Sequence, residues 1–152
     1  MATAAIGVLN FPNYNFRLKQ VDSKVLIFDA VRKKWLICTP EEWVRQHLIC
    51  WLIQEKNYPA ALIAIESGLK INQLQRRSDV MIYQNNVPFI LAECKAPQVK
   101  ITQEVFDQLF RYNLVIKAPY LLVTNGLTHF FAQTIQEKTT LHPIEDLPKY
   151  KS

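Results

Sequence analysis

Between Tyr14 and Cys38 short strand-like stretches are separated by turn signals. Tyr14 to Gln20 reads as a strand, and Val21-Asp22-Ser23-Lys24 turns it into a second over Val25 to Asp29. Lys34 to Cys38 supplies a third and completes a small amino-terminal meander. A helical pattern follows. Thr39-Pro40-Glu41-Glu42 combines a capping hydroxyl, a proline at the first helical position and an acid three residues past the cap, the elements of a capping box. Trp43, Val44, His47, Leu48, Trp51 and Leu52 follow at helical spacing, to about Lys56 ahead of Pro59.

Strand character returns over Ile63 to Ile71. Arg77 to Gln84 and Pro88 to Lys95 flank the turn signal Asn85-Asn86-Val87, so they are expected to pair as a hairpin centred on Asn86. Alternation puts Val80, Ile82, Ile90 and Ala92 on one face and Met81, Tyr83, Phe89 and Leu91 on the other. Both faces are apolar, which predicts a sheet covered by helices on each side. Pro97 ends this strand, and Thr102 can cap a second helix to about Lys117, burying Val105, Phe106, Leu109, Phe110, Asn113 and Ile116. Tyr120 to Thr124 is another strand, and Asn125-Gly126 turns it into a last one at Thr128 to Gln133. The tail from His142 is expected to fray. The fold class is α/β, a mixed central sheet with flanking helices. Its parts are a β meander over 1–38 packed on the core, a core over 39–137 and a tail over 138–152.

With 152 residues and 17.7 kDa there is room for one ordinary domain. A hydrophobic fraction of 49% against 20% charged residues excludes disorder for most of the length. No apolar run approaches the ~18 residues of a membrane helix. Met1 to Phe11 lacks the basic and apolar regions of a signal peptide. Three cysteines without C-x-x-C spacing argue against a disulfide framework or structural zinc and fit a reducing cytoplasm. The net charge of +5 and pI of about 9.2 suit a nucleic-acid partner, although proteins that bind nothing anionic also carry such an excess. Three glycines, with neither G-x-x-x-x-G-K-[ST] nor G-x-G-x-x-G, exclude a nucleotide site.

The hairpin carries the candidate chemistry. Centred on Asn86, it sets Asp79 across from Glu93, with Cβ atoms about 4.5–5.5 Å apart. Facing carboxylates repel and are costly to desolvate, so a cation is needed, and Mg²⁺ held by two carboxylates is the natural candidate. Lys95 lies on the same face as Glu93, where an ammonium can orient water or stabilise charge growing on a phosphate. An ordinary salt bridge of Lys95 with Glu93 or Asp79 remains open from spacing alone.

Ser78-Asp79 followed by Ala92-Glu93-Cys94-Lys95 resembles the Asp…Glu-x-Lys signature of the PD-(D/E)xK phosphodiesterases. Leu91 to Pro97, Gln108-Leu109-Phe110-Arg111-Tyr112 and Tyr120 to Gly126 together resemble the amino-terminal nuclease domain of type I restriction enzyme R subunits, over about Thr39 to Phe131. The resemblance implies a restriction-endonuclease-like α-β-β-β-α-β core and Mg²⁺-dependent cleavage of DNA, with Mn²⁺ able to substitute. Asp79 and Glu93 would hold the metal, and Lys95 would position the attacking water. Glu66 would add a further acid, though an exposed glutamate beside Gly68 is equally unremarkable. Gln108 and Tyr112, four apart on one helical side, would lie over the site, the amide orienting water or ligand and the phenol touching nucleic acid. Ser78 stands where many members have proline, which removes no ligand. The motor and DNA-recognition regions of R subunits have no counterpart in these residues, so a detached nuclease domain is expected.

Arg76 and Arg77 could grip phosphates at the cleft rim or be ordinary exposed arginines. His47 reads as a core histidine, His129 and His142 lack partners at metal-ligand spacing, and Cys94 points away from Glu93 and Lys95. The preferred expectation is a cytoplasmic, Mg²⁺-dependent endodeoxyribonuclease. Its partners would be DNA and a second copy or other restriction or repair subunits, with no membrane and no nucleotide. The alternative is a nucleic-acid-binding or assembly module of the same fold that is inactive without a partner.

Overall fold

The structure, a computed structural model, describes residues 7–65, 80–135 and 140–152. Among these residues the chain forms two α-helices and two sheets, of three and six strands. The first sheet is the meander β1 (Leu18–Val21), β2 (Lys24–Asp29) and β3 (Lys34–Ile37), paired antiparallel in that order. Leu18, Ile27 and Leu36 are cross-strand partners and share the face turned to the core, where Ile27 is fully buried.

Helix α1 (Pro40–Gln54) begins at Thr39, whose hydroxyl accepts the Glu42 N–H at 3.0 Å. The return half of the expected capping box is not made. Thr39 N–H bonds Ile37 O at 3.0 Å, while the Glu42 carboxylate accepts from Arg45 at 2.6 Å and Gln46 at 2.9 Å. Burial extends past the apolar stripe to Arg45, Gln46 and Ile49, because the meander leans on a second flank of α1. Gln46 donates to Asp29 at 3.0 Å, and Arg32 reaches both Asp29 at 2.7 Å and Glu42 at 3.5 Å.

The large sheet runs β4 (Ile63–Ile65), β5 (Val80–Gln84), β6 (Val87–Cys94), β7 (Tyr120–Thr124), β8 (His129–Ile135) and β9 (Thr140–Ile144), in that spatial order. Only the β6–β7 pair is parallel among these, joined through helix α2 (Gln103–Ile116). Asn85 and Asn86 both have positive φ, 53° and 64°, and make a two-residue turn that pairs Gln84 with Val87. The hairpin is therefore not centred on Asn86 at its tip. An irregularity between Ile82 and Tyr83 restores the expected register further in, with Val80 opposite Ala92 and Met81 opposite Leu91. The same bulge carries Phe89 to the α1 side, opposite to its expected face.

Both sheet faces are covered. Val80, Ile82, Ile90, Ala92, Cys94 and Leu122 pack with Val44, Leu48 and Leu52 in the core cluster of α1. Met81, Leu91, Leu121, Val123 and Ala132 pack with Leu109 and Tyr112 of α2. The buried residues of α2 are Leu109, Tyr112 and Asn113, whereas Val105, Phe106, Phe110 and Ile116 are only partly covered. Thr102 precedes α2 in extended conformation without a side-chain cap bond. At its other end Lys117 is left-handed (φ 63°), and buried Asn113 clasps Ala118 by two bonds of 2.9 Å, to its N–H and from its carboxamide to the carbonyl.

The carboxy-terminal stretch does not fray. β9 pairs with β8 through Ile144 opposite Phe131 and His142 opposite Gln133, and Leu147 is buried. Tyr58 donates its hydroxyl to Pro148 O at 2.8 Å, Tyr150 N–H bonds Lys56 O at 2.8 Å, and Lys56 pairs with Asp146. The expected strand beyond Ile65 and before Val80 lies outside the described residues. No helix among the described residues is long and apolar enough to cross a membrane.

Two titrating groups are tuned by this packing. Burial pushes the Asp29 carboxyl up, but backbone and side-chain bonds from Arg32, the Gln46 amide and the guanidinium charge outweigh it, leaving its pKa below 3.8. Burial lowers His47, against the opposing bond from its Nδ1 to Trp43 O at 2.8 Å. A lowered folded pKa contributes stability above the unfolded value that is lost as pH falls. Unfolding midpoints should therefore drop in two stages, below about pH 6.5 for His47 and below about pH 4 for Asp29. His47→Gln should remove the first stage and Asp29→Asn flatten the second, in thermal melts across pH. Asn113→Ala, losing two buried bonds, should lower the unfolding free energy by about 2 kcal/mol. Lys117→Gly should raise it by about 1 kcal/mol by relieving a left-handed side chain, both read by urea titration.

Candidate active site

Residues Glu93 and Lys95 stand where β6 runs out. Leu91 belongs to the α2-side cluster, while Ala92 and Cys94 belong to the α1-side cluster. The strand's period of two thus turns Glu93 to the α2 side, beside its register partner Val123. The parallel ladder continues one step beyond the strand, since Lys95 N–H donates to Thr124 O at 2.8 Å. That bond keeps the chain extended and returns Lys95 to the side of Glu93, where Nζ lies 3.2 Å from Glu93 Oε2. The Glu93 side chain is 9% exposed and that of Lys95 28%, so the pair opens to solvent through its ammonium.

A carboxylate this enclosed is expensive to keep ionised unless positive charge faces it. Lys95 supplies one such charge. A hard carboxylate oxygen is also a suitable donor for Mg²⁺ or Mn²⁺, and an ammonium beside it can hold water or a phosphate oxygen. Among the described residues, no three His, Cys, Asp or Glu side chains gather as a metal cluster.

On α2, Gln108 is half-buried and Tyr112 is 5% exposed. Tyr112 packs in the cluster that contains Leu91, two residues before Glu93, so its ring is a wall of the α2-side core. Such burial leaves the phenol little surface to offer a nucleic acid, and it suits a positioning role better than the expected contact. Asp79, Glu66, Arg76 and Arg77 lie outside the described residues. Cys94 is fully buried on the α1 side, and Glu55 is exposed.

The turn after β7 matters more than its sequence suggested. Asn125 accepts the N–H groups of Leu127 and Thr128 at 3.0 and 2.8 Å and donates to Val99 O at 2.9 Å. It thereby ties the β7–β8 turn to the loop following Lys95. Thr124 Oγ1 accepts the Gly126 N–H at 2.9 Å and lies 2.7 Å from His129 Nδ1, while His129 Nε2 is 2.8 Å from Asn10 O. The carbonyl partner requires a hydrogen on Nε2. A Cβ on Gly126, at φ +85°, would be strained and would stand 2.9 Å from a Leu9 methyl and 3.0 Å from a Val44 methyl, which would have to shift. The signal available in the sequence was the Asn-Gly pair, which announces a turn but not its partners.

No curated protein and no solved structure shows significant similarity to the chain. The family model for the type I restriction enzyme R protein N terminus (HSDR_N) matches residues 40–148, from the first residue of α1 past the end of β9. That span covers most of the chain and includes Glu93, Lys95, Gln108 and Tyr112, and on it rests the assignment: the chain belongs to the type I restriction enzyme R protein N-terminal family.

Proposed function

We propose that this protein is a PD-(D/E)xK-type phosphodiesterase with a restriction-endonuclease-like core, hydrolysing DNA in a restriction system. The observation that carries the reading is the enclosed Glu93–Lys95 pair, 3.2 Å apart at the end of a strand inside the family match. In the proposal, the Val80–Ala92 register extends one residue outward to bring Asp79 to Glu93. These two carboxylates would hold Mg²⁺ or Mn²⁺, with Glu66 as a further acid. The bound cation would supply positive charge against the phosphate.

The remaining roles belong to the chain's own groups. Lys95 donates a hydrogen bond to the attacking water or a non-bridging phosphate oxygen, holding it as the water oxygen bonds phosphorus and loses a proton to solvent, while the bond to the leaving oxygen breaks and that oxygen takes a proton from solvent. Glu93 keeps the ammonium in place. Gln108 orients the water or ligand from α2, and buried Tyr112 positions that helix against the sheet. Arg76 and Arg77 would bind flanking phosphates.

Purified protein with Mn²⁺ should nick or cut DNA, and EDTA should stop it. Lys95→Ala should lower the cleavage rate per folded molecule by about a hundredfold or more, and its metal-free melting temperature should fall as well, because Glu93 loses its facing charge. Gln108→Ala should lower cleavage much more than stability. Full activity in Lys95→Ala would overturn the mechanism, and no cutting of any DNA form would favour a binding or assembly module instead. Metal at about 100 times its Kd should stabilise the fold by about 2.7 kcal/mol, and Asp79→Asn or Glu93→Gln should remove most of that gain in calorimetry.

A further inference from the structure

The meander β1–β3 precedes the stretch matched by the family model, so membership in the family assigns it nothing. Its inner face, through Leu18, Ile27 and Leu36, packs on the core. Its outer face is built differently. Phe28 and Trp35 are cross-strand partners there, with ring centroids 5.3 Å apart at 65°. The Arg17 guanidinium lies 4.4 Å from the Phe28 centroid and 5.3 Å from that of Trp35. The Lys19 ammonium lies 4.2 Å from the Trp35 centroid.

We infer that this outer face is a docking surface for the phosphodiester backbone of DNA. Charge is the first reason. Residues 17–35 hold Arg17, Lys19, Lys24, Arg32, Lys33 and Lys34 against Asp22 and Asp29, in a chain whose net charge is +5. Asp29 is buried and paired with Arg32, so the solvent-facing balance of the meander is strongly positive. Preorganisation is the second reason. Rings beneath Arg17 and Lys19 hold both cations in place before any ligand arrives. A guanidinium held over aromatic rings can still offer N–H groups to phosphate oxygens. Exposed Val21 and Ile37, 45% and 52% accessible, add apolar surface that sugars and base edges can cover. Cations interleaved with aromatic rings are what a nucleic-acid strand requires, since phosphates and bases alternate along it.

The surface deepens the DNA-directed reading above and rests on it for its partner, but it can fail separately. Binding is measured by fluorescence anisotropy of labelled DNA, single-stranded and duplex, in EDTA with the Glu93→Gln protein, so that cleavage plays no part. The double variant Arg17→Ala/Lys19→Ala should weaken binding about tenfold and lower the slope of log K against log salt by about two. Lys149→Ala/Lys151→Ala removes the same charge elsewhere and should change affinity less than twofold. Trp35→Leu keeps every charge and should weaken binding severalfold, while Trp35→Phe should retain most of it. Equal losses from the two lysine- and arginine-directed pairs, or none from the meander pair, would overturn the inference. So would competition by polyglutamate as effective as that by unlabelled DNA, which would mark an acidic-protein site. In the cleaving protein the meander pair should raise KM and leave kcat unchanged. Meander-dependent binding without cleavage would sink only the nuclease reading, and cleavage with an unaltered KM only this surface.

Discussion

Glu93 carries a carboxylate to the end of a strand that is apolar on both of its faces up to that residue, and its side chain is 9% exposed. An ionised group so enclosed would cost several kcal/mol without a facing charge, and the Lys95 ammonium at 3.2 Å supplies one. The pair is possible only because Lys95 stays in the extended ladder through its bond to Thr124 O. β7 supplies that carbonyl by lying parallel to β6, and α2 crosses over the sheet to bring it there. The topology of the core and the geometry of the candidate site are thus a single arrangement.

Turns and clasps around the site make that arrangement stiff. Asn125 fastens the β7–β8 turn to the loop after Lys95, and Thr124 continues through His129 to the carbonyl of Asn10. Asn113 closes the far end of α2 upon Ala118, whose carbonyl also accepts the Thr134 hydroxyl of β8. Short polar side chains satisfying backbone groups in this way leave few routes by which the end of β6 could shift.

A second charge network does similar service on the other side of the molecule. Asp29, Arg32, Glu42, Arg45 and Gln46 join the meander to α1 through bonds of 2.6 to 3.5 Å. Those groups are consumed internally. Two of the cations on the outer face of the meander, Arg17 and Lys19, are instead held over Phe28 and Trp35. The same small sheet thus divides its charge between fastening itself to the core and presenting it to solvent.

Local rules carried much of this fold. Hydroxyl, proline and acid at Thr39 to Glu42 specified where α1 starts, and alternation along Val80 to Cys94 foretold a sheet covered on both faces. Glu93 and Lys95 shared a side because the strand period is two. What required the folded chain was every choice between two acceptable local partners. Glu42 had a capping role available, yet turned to Arg45 and Gln46, which tertiary contact with the meander placed within reach. The sequence set Tyr112 on the Gln108 side of α2 with its phenol toward nucleic acid, but only the approach of α2 to the sheet put its ring in the core. The end of the chain carried no strong signal of its own, since β9 is short and contains Pro143. Its order comes from β8 and from Lys56 and Tyr58, partners some ninety residues earlier. Periodicity along a chain reports which face a residue shows; only packing of distant segments decides what that face meets.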